Sequence, residues 1–261
     1  MITPVNWATS GVVKIERAVK HIRDLEAQVR AFQETDPYTI IRKDDPDTGE
    51  LVVFAGIPKP LPPPWGAIAG DAIHNLRSSL DLLWRQVNCP NTLSPLTPSE
   101  AFKVYDSPDL LDAALAREKK PTRKAAMNIL KEIESFKGGN YLLCLLDTIN
   151  DIDKHRVLIP AYNSVHAVRF WTESATPLPG SFPRQVHIQK LKPLYPVHDG
   201  TELWRTIVPP GEMYVNLEFL FSVTLGEVDI ISGKDIVTTL DQITSVVEGI
   251  AETFRIRGLL R

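Results

Sequence analysis

The residues YVNLEFLFSVTL at positions 214–225 decide the fold class, because hydrophobic and polar side chains alternate along most of this stretch. Alternation with a period of two is typical of a β-strand that buries one face. The same period occurs more weakly in the segments 165–171, 184–191 and 202–208. The sequence therefore predicts an antiparallel β-sheet in the part of the chain that follows Arg156.

The preceding part of the chain has the period of an α-helix instead. Apolar residues recur at every third or fourth position in the segments 12–32 and 65–87 and again from Tyr141 onward, which predicts amphipathic helices. The turn-forming residues DDPDTGE separate two β-prone runs, so we predict a hairpin over residues 38–56. The same helical period returns over residues 236–254 and predicts a closing helix.

Capping-box and glycine signals between residues 97 and 139 add three shorter helices to the prediction. Helices first and strands later are typical of an α+β protein rather than of alternating β and α units. We therefore predict a helical core over residues 1–156, with the small hairpin at 38–56 inside it. Residues 157–261 are expected to form an antiparallel sheet and a C-terminal helix that pack as one unit.

Composition excludes few classes of protein. The chain has 261 residues and a net charge of −3, so its overall charge does not attract it to nucleic acid or to an anionic membrane. Two cysteines, Cys89 and Cys144, are too few for a disulfide framework and predict a reduced, cytoplasmic setting. The apolar runs are far shorter than the roughly 18 residues of a membrane span, and no signal peptide is expected.

The first motif that could carry chemistry is GDAIHNLRSSLD, residues 70–81. Because a helix turns by about 100° per residue, His74, Arg77 and Asp81 fall in one row at the edge of the apolar face. A general base, a cation for a phosphate or oxyanion and an orienting carboxylate would then share one surface. The alternative is an ordinary polar helix face, with Arg77 and Asp81 forming an i, i+4 ion pair.

The second motif is NDIDKHR, residues 150–156. Asn150, Asp153 and Arg156 continue rows of leucine and isoleucine in the helix that begins near Tyr141, so polar groups occupy inward positions. A buried charge needs a partner. We therefore predict that the two motifs meet, with the carboxylate of Asp81 or Asp153 within hydrogen-bonding reach of an Arg or His of the other motif. The result is either a functional site or a network that fixes two helices together.

Metal binding is a weaker interpretation. Asp71 with His74, and Asp151 with His155, imitate the carboxylate and imidazole pairs of metal-binding helical bundles. The bridging glutamates of a di-iron bundle are missing, however, so we expect neither a metal nor another cofactor. The sequence also lacks GxxxxGK[ST], HExxH and GxSxG, the usual signs of P-loop hydrolases, zincins and nucleophile-elbow hydrolases.

Together the two motifs resemble a set of uncharacterised bacterial proteins that pair a GDxxHNLRxxLD helix with a downstream DKHR. More loosely, residues 10–156 resemble the HEPN group of helical bundles. That resemblance implies a metal-independent ribonuclease of a toxin or phage-defence system, with RNA as its partner. The HEPN signature places Arg before His, whereas here His74 precedes Arg77 and His155 precedes Arg156. A site of this kind would combine Arg77 of one helix with His155 of another.

A ribonuclease of this group needs a general base, a cation for the charged phosphorane and an orienting carboxylate. The chain offers two residues for each role: His74 and His155 as the base, Arg77 and Arg156 as the cation, Asp81 and Asp153 as the carboxylate, with Asn150 beside them. The alternative function is that of a non-enzymatic binding or scaffold protein, in which the same residues form a buried network. A catalytic site must open to solvent, whereas a network must be closed and fully paired. A homodimer is compatible with either function.

Overall fold

The computed structural model describes residues 7–35, 37, 39–57, 59–88, 100–155, 160–174, 185–194, 198–207, 212–225 and 234–260. Within these ranges the helices are α1 (Trp7–Gln33), α2 (Pro64–Asn88), α3 (Pro108–Arg117), α4 (Pro121–Glu132), α5 (Tyr141–His155) and α6 (Ile236–Ile256). The strands are β1 (Ile40–Asp44), β2 (Glu50–Ala55), β3 (Pro160–Ser174), β4 (Gln185–Leu194), β5 (Glu202–Ile207) and β6 (Glu212–Leu225). The predicted α+β class, with helices first and a closing helix at the end, is confirmed.

The contacts between residues divide the chain into two compact units. The first consists of Met1–Leu25, Pro64–Leu158 and Val237–Arg261, and the second of Glu26–Pro63 and Ile159–Ile236. The predicted division at residue 156 separates two continuous parts of the chain, whereas each compact unit is made of segments from both parts. The hairpin therefore groups with the later strands, and α6 groups with the earlier helices.

The first unit is helical, and its core is built from the apolar faces that the sequence period predicts. Helix α2 contributes most to this core, because apolar residues recur along it with few interruptions. Its fully buried side chains include Ile73, Leu76, Leu80 and Leu83. At the end of the helix, the Trp84 ring packs against the rings of Phe102 and Phe254 at centroid distances of 5.9 and 6.3 Å.

The second unit holds two three-stranded antiparallel sheets, with strand orders β1-β2-β5 and β4-β3-β6. The predicted hairpin is confirmed as β1 and β2. Its turn is closed by the Asp45 carboxylate, which accepts hydrogen bonds from the backbone N–H groups of Asp47 and Thr48, and by Gly49, whose φ of 70° favours glycine. The Arg205 guanidinium of β5 bonds to two carboxylates of the hairpin, that of Asp45 in the turn and that of Glu50 at the start of β2.

The segment 214–225, with its alternating apolar and polar residues, lies in β6. It pairs with β3 over almost its whole length, with Val168 opposite Phe219 and Phe170 opposite Leu217. Two of the three short helices are confirmed as α3 and α4, and the Ser107 side chain caps α3 as its sequence predicts. The residues expected to open the first short helix lie outside the described part of the chain. No helix in the described ranges has the length and apolar character needed to cross a membrane.

Candidate functional site

The two motifs come together where α2 and α5 pack against each other. At one end, a Cβ added to Gly70 would lie 2.9 Å from the Asp153 Cγ, which is closer than real Cβ atoms come to other side chains. At the other end, Arg77 bonds to Asp147. Because the numbering rises along α2 as it falls along α5, the helices are antiparallel here. We call Gly70, His74, Arg77 and Asp81 of α2, with Asp147, Asn150 and Asp153 of α5, the polar interface.

Arg77 is the most heavily bonded residue of the polar interface. Its Nε donates to Asp147 Oδ1 at 3.0 Å, its Nη1 to Asp81 Oδ1 at 2.6 Å and its Nη2 to the Phe102 carbonyl oxygen at 2.7 Å. The Phe102 backbone N–H also donates to Asp81 Oδ1 at 2.9 Å. Arg77 therefore ties together α2, α5 and the chain segment before α3. The i, i+4 pair with Asp81 is confirmed.

The electrostatics of Arg77 match these contacts. Its side chain is only 14% exposed, and burial opposes its charge more strongly than any other single influence. The attraction of Asp81 and then of Asp147 outweighs that opposition, so the pKa of Arg77 is raised above its ordinary value. The guanidinium is thus permanently charged and held by its own chain.

The opposite end of the polar interface is open to solvent. His74 is exposed, and its Nε2 lies 3.4 Å from the Ser78 hydroxyl oxygen. Burial raises the pKa of the Asp153 carboxyl, the charge of His74 offsets part of that rise, and the nearby Asp71 adds to it. His74 and Asp71 therefore both act on the charge of the Asp153 carboxylate at this end, while Arg77 bonds at the other.

Asn150 lies between the two ends. The helical rotation of about 100° per residue places it about 60° from both Asp147 and Asp153, on the face that meets α2. It is 2% exposed, and its Nδ2 has no hydrogen-bond partner within the described structure. A buried donor without a partner costs free energy, so Asn150 is the least satisfied group in the polar interface.

The two remaining candidates of the second motif do not join this arrangement. His155 is exposed in the last turn of α5, about 140° around the helix from Asn150. No described contact joins it to Arg77, so the described part of the chain does not bring together the composite pair that the HEPN resemblance requires. Arg156 lies outside the described residues.

The prediction that the motifs meet is confirmed for the two helices. Among the described contacts, however, neither Asp81 nor Asp153 bonds to an Arg or His of the other motif, and the bond that crosses from α2 to α5 runs from Arg77 to Asp147. Asp147 had a signal in the sequence, because it precedes Asn150 by three positions and Asp153 by six and so falls on the same helix face. No sequence signal identifies the Phe102 carbonyl as a partner of Arg77, because every residue has a backbone carbonyl.

The metal interpretation finds no support in the geometry. In the part of the chain that the structure describes, no three or more His, Cys, Asp or Glu side chains are grouped closely enough to hold a metal ion. Asp151, half of one predicted ligand pair, bonds instead to Lys154 at 3.1 Å. Comparison with known proteins adds no further guide, since no family model, curated protein or solved structure matches the chain. The functional argument therefore depends on the geometry of the polar interface.

Proposed function

We propose that the chain is a non-enzymatic binding or scaffold protein, and that the polar interface holds its helical unit in one arrangement. The observation that carries this proposal is the state of Arg77. Three oxygen atoms of the same chain accept its hydrogen bonds, and only 14% of its side chain is exposed. An arginine that stabilises a phosphorane must present its donors to the substrate, and Arg77 would first have to release Asp81 or Asp147.

The charge around Arg77 also supports a binding rather than a nuclease function. Asp81 and Asp147 bind the Arg77 guanidinium, and Asp71 and Asp153 lie at the His74 end. These four carboxylates outnumber the basic groups Arg77, His74 and Lys137, the last of which interacts electrostatically with Asp147. An excess of negative charge repels the phosphates of RNA, which nuclease sites attract with Lys and Arg. We propose a cytoplasmic location for the protein, on the evidence of its two cysteines.

One observation favours a second function, a HEPN-like metal-independent ribonuclease. His74 is exposed, and its charge interacts with the Asp153 carboxylate. An exposed imidazole beside a carboxylate could act as the general base that takes the proton of a ribose 2′-OH. In this case Asp153 orients the imidazole, and Arg77 acts on the phosphorane while still bonded to Asp81.

A single pair of measurements separates the two functions. Purified protein is incubated with single-stranded RNA in the presence of a chelator, and the His74→Ala variant is compared with wild type in both cleavage rate and melting temperature. We expect no cleavage by either protein. Chelator-resistant cleavage that falls by roughly 10²-fold in His74→Ala, with an unchanged melting temperature, would establish the ribonuclease and overturn the scaffold.

A further inference from the structure

A second surface of the helical unit has the features of a docking groove. Helices α1 and α6 are antiparallel, and an ion pair of 3.4 Å between Arg23 and Asp241 joins them at one end. Glu16, seven residues before Arg23 on α1, and Glu248, seven residues after Asp241 on α6, lie on the two sides of an open groove of about 870 Å³. The groove shares no residue with the polar interface.

The interior of the groove is apolar. Its lining includes Ile15 and Leu83, which are buried, and Val12, which is 45% exposed. The Leu83 side chain reaches this position because Gly11 of α1 carries no Cβ, which would otherwise lie 2.9 Å from the Leu83 Cγ. Exposed apolar side chains above a buried apolar base are typical of surfaces that bind a hydrophobic partner.

The rim of the groove is acidic. Glu252 is neutralised by Arg255, whose Nε and Nη2 bond to its carboxylate at 2.6 and 2.5 Å. Glu16 of α1 and Glu248 of α6 are exposed and have no cationic partner among the described residues. One uncompensated carboxylate therefore lies on each side of the apolar base, and a partner that covers the base brings its own charges next to both.

We propose that this groove binds an amphipathic α-helix of a partner protein, with an apolar stripe that is flanked on both sides by Lys or Arg. The apolar lining on α1 extends from Val12 to Val19, a rise of about 10 Å or two helical turns. That length suits apolar anchors at positions i, i+3, i+4 and i+7 of a bound helix. The basic flanks would complement Glu16 and Glu248 and give the groove its specificity.

This inference rests on the proposed binding function and names the surface that performs it. Two synthetic helical peptides test it on the full chain by titration calorimetry. Both carry leucines at i, i+3, i+4 and i+7, and the stripe is flanked by lysines in one peptide and by glutamates in the other. The variant Val12→Asp places a charge in the groove. Val13→Asp is its matched control, because Val13 is also exposed, at 53% against 45% for Val12, but does not line the groove.

We expect the lysine peptide to bind at least tenfold more tightly than the glutamate peptide and to lose affinity several-fold as salt rises from low to physiological concentration. Val12→Asp should weaken its binding tenfold or more, and Val13→Asp should leave it unchanged. Equal binding of both peptides, or equal effects of the two variants, would overturn the groove as the site. So would a wild-type dimer that Val12→Asp converts to a monomer, because the occupant would then be a second copy of this chain.

Failure of the groove and failure of the binding function remain distinguishable. RNA cleavage that depends on His74 overturns the binding function whatever the peptides do. Absence of peptide binding together with absence of cleavage overturns the groove alone and leaves the scaffold proposal standing.

Discussion

Replacing Arg77 by methionine tests the central claim, that the polar interface holds the helical unit together. Methionine keeps the unbranched apolar stem and removes the guanidinium. The change deletes three hydrogen bonds, of which two are to carboxylates. A hydrogen bond to a charged group contributes about 1.5–3 kcal/mol net. Asp81 and Asp147 keep exposures of 25% and 36%, so water can solvate the charges that Arg77 leaves behind.

We therefore expect a loss of about 2–4 kcal/mol in the free energy of unfolding, less than the sum of the three bonds. Urea unfolding followed by tryptophan fluorescence measures it, and with a slope of about 3 kcal/mol per molar the midpoint should fall by about 1 M. Arg205→Met is the control. Arg205 contacts three carboxylates, but its side chain is 39% exposed, and we expect a smaller effect because water screens exposed pairs. A loss below about 1 kcal/mol for Arg77→Met, or a larger one for Arg205→Met, would refute the reasoning.

Three further changes test single contacts. Gly70→Ala should destabilise the protein by about 1–3 kcal/mol, because the added Cβ meets the Asp153 side chain. Gly249→Ala in α6, where the added Cβ meets no neighbour, should stabilise it by about 0.5–1 kcal/mol. If thermal unfolding showed both changes to be neutral, the close approach of Gly70 and Asp153 would be contradicted. The pKa of Asp153 is raised in the folded state, so the folded protein loses stability as pH rises through that pKa and the carboxyl deprotonates. Asp153→Asn should therefore be more stable than wild type at pH 7 and should lose that advantage at acidic pH. A constant difference across the pH range in urea titrations would show that Asp153 is not the cause. Asn150→Leu removes a buried donor without a partner and should stabilise by about 1 kcal/mol; a destabilised variant in the same assay would mean that an unseen partner satisfies the amide.

The sequence predicts the local elements of this chain well because their signals are local. The amphipathic periods locate α2, α5 and α6, and the turn residues between β1 and β2 locate the hairpin. The partner of β5 could not be predicted in this way. It pairs with β2 of the hairpin, about 150 residues earlier in the chain, and alternation shows that a strand buries one face but not which strand lies beside it.

In the candidate site, too, the local contacts could be predicted from the sequence and the long-range contacts could not. The Arg77 pair with Asp81 is four residues apart on one helix, so the spacing alone predicts it. The bond to Asp147 depends on how α2 and α5 pack, and that packing depends on Gly70, whose role is visible only when the Asp153 carboxylate lies against it. The sequence pattern predicts that the charged residues share one surface. It does not show which of them hydrogen-bond to each other and so have no donors or acceptors left for a substrate.

The arrangement also explains why polar side chains occupy a helix face on α5 where leucines would bury more apolar surface. Two smooth apolar faces could slide by a turn with little change in buried area, because hydrophobic burial has no direction. Arg77 reaches Asp81 and Asp147 together only when the helices lie in one register. The close approach of Gly70 and Asp153 marks that same register about two helical turns away. We infer that the polar groups give up some stability for a single arrangement of the helices, and a fixed arrangement is what a protein needs when a groove elsewhere on the same unit must keep its shape for a partner.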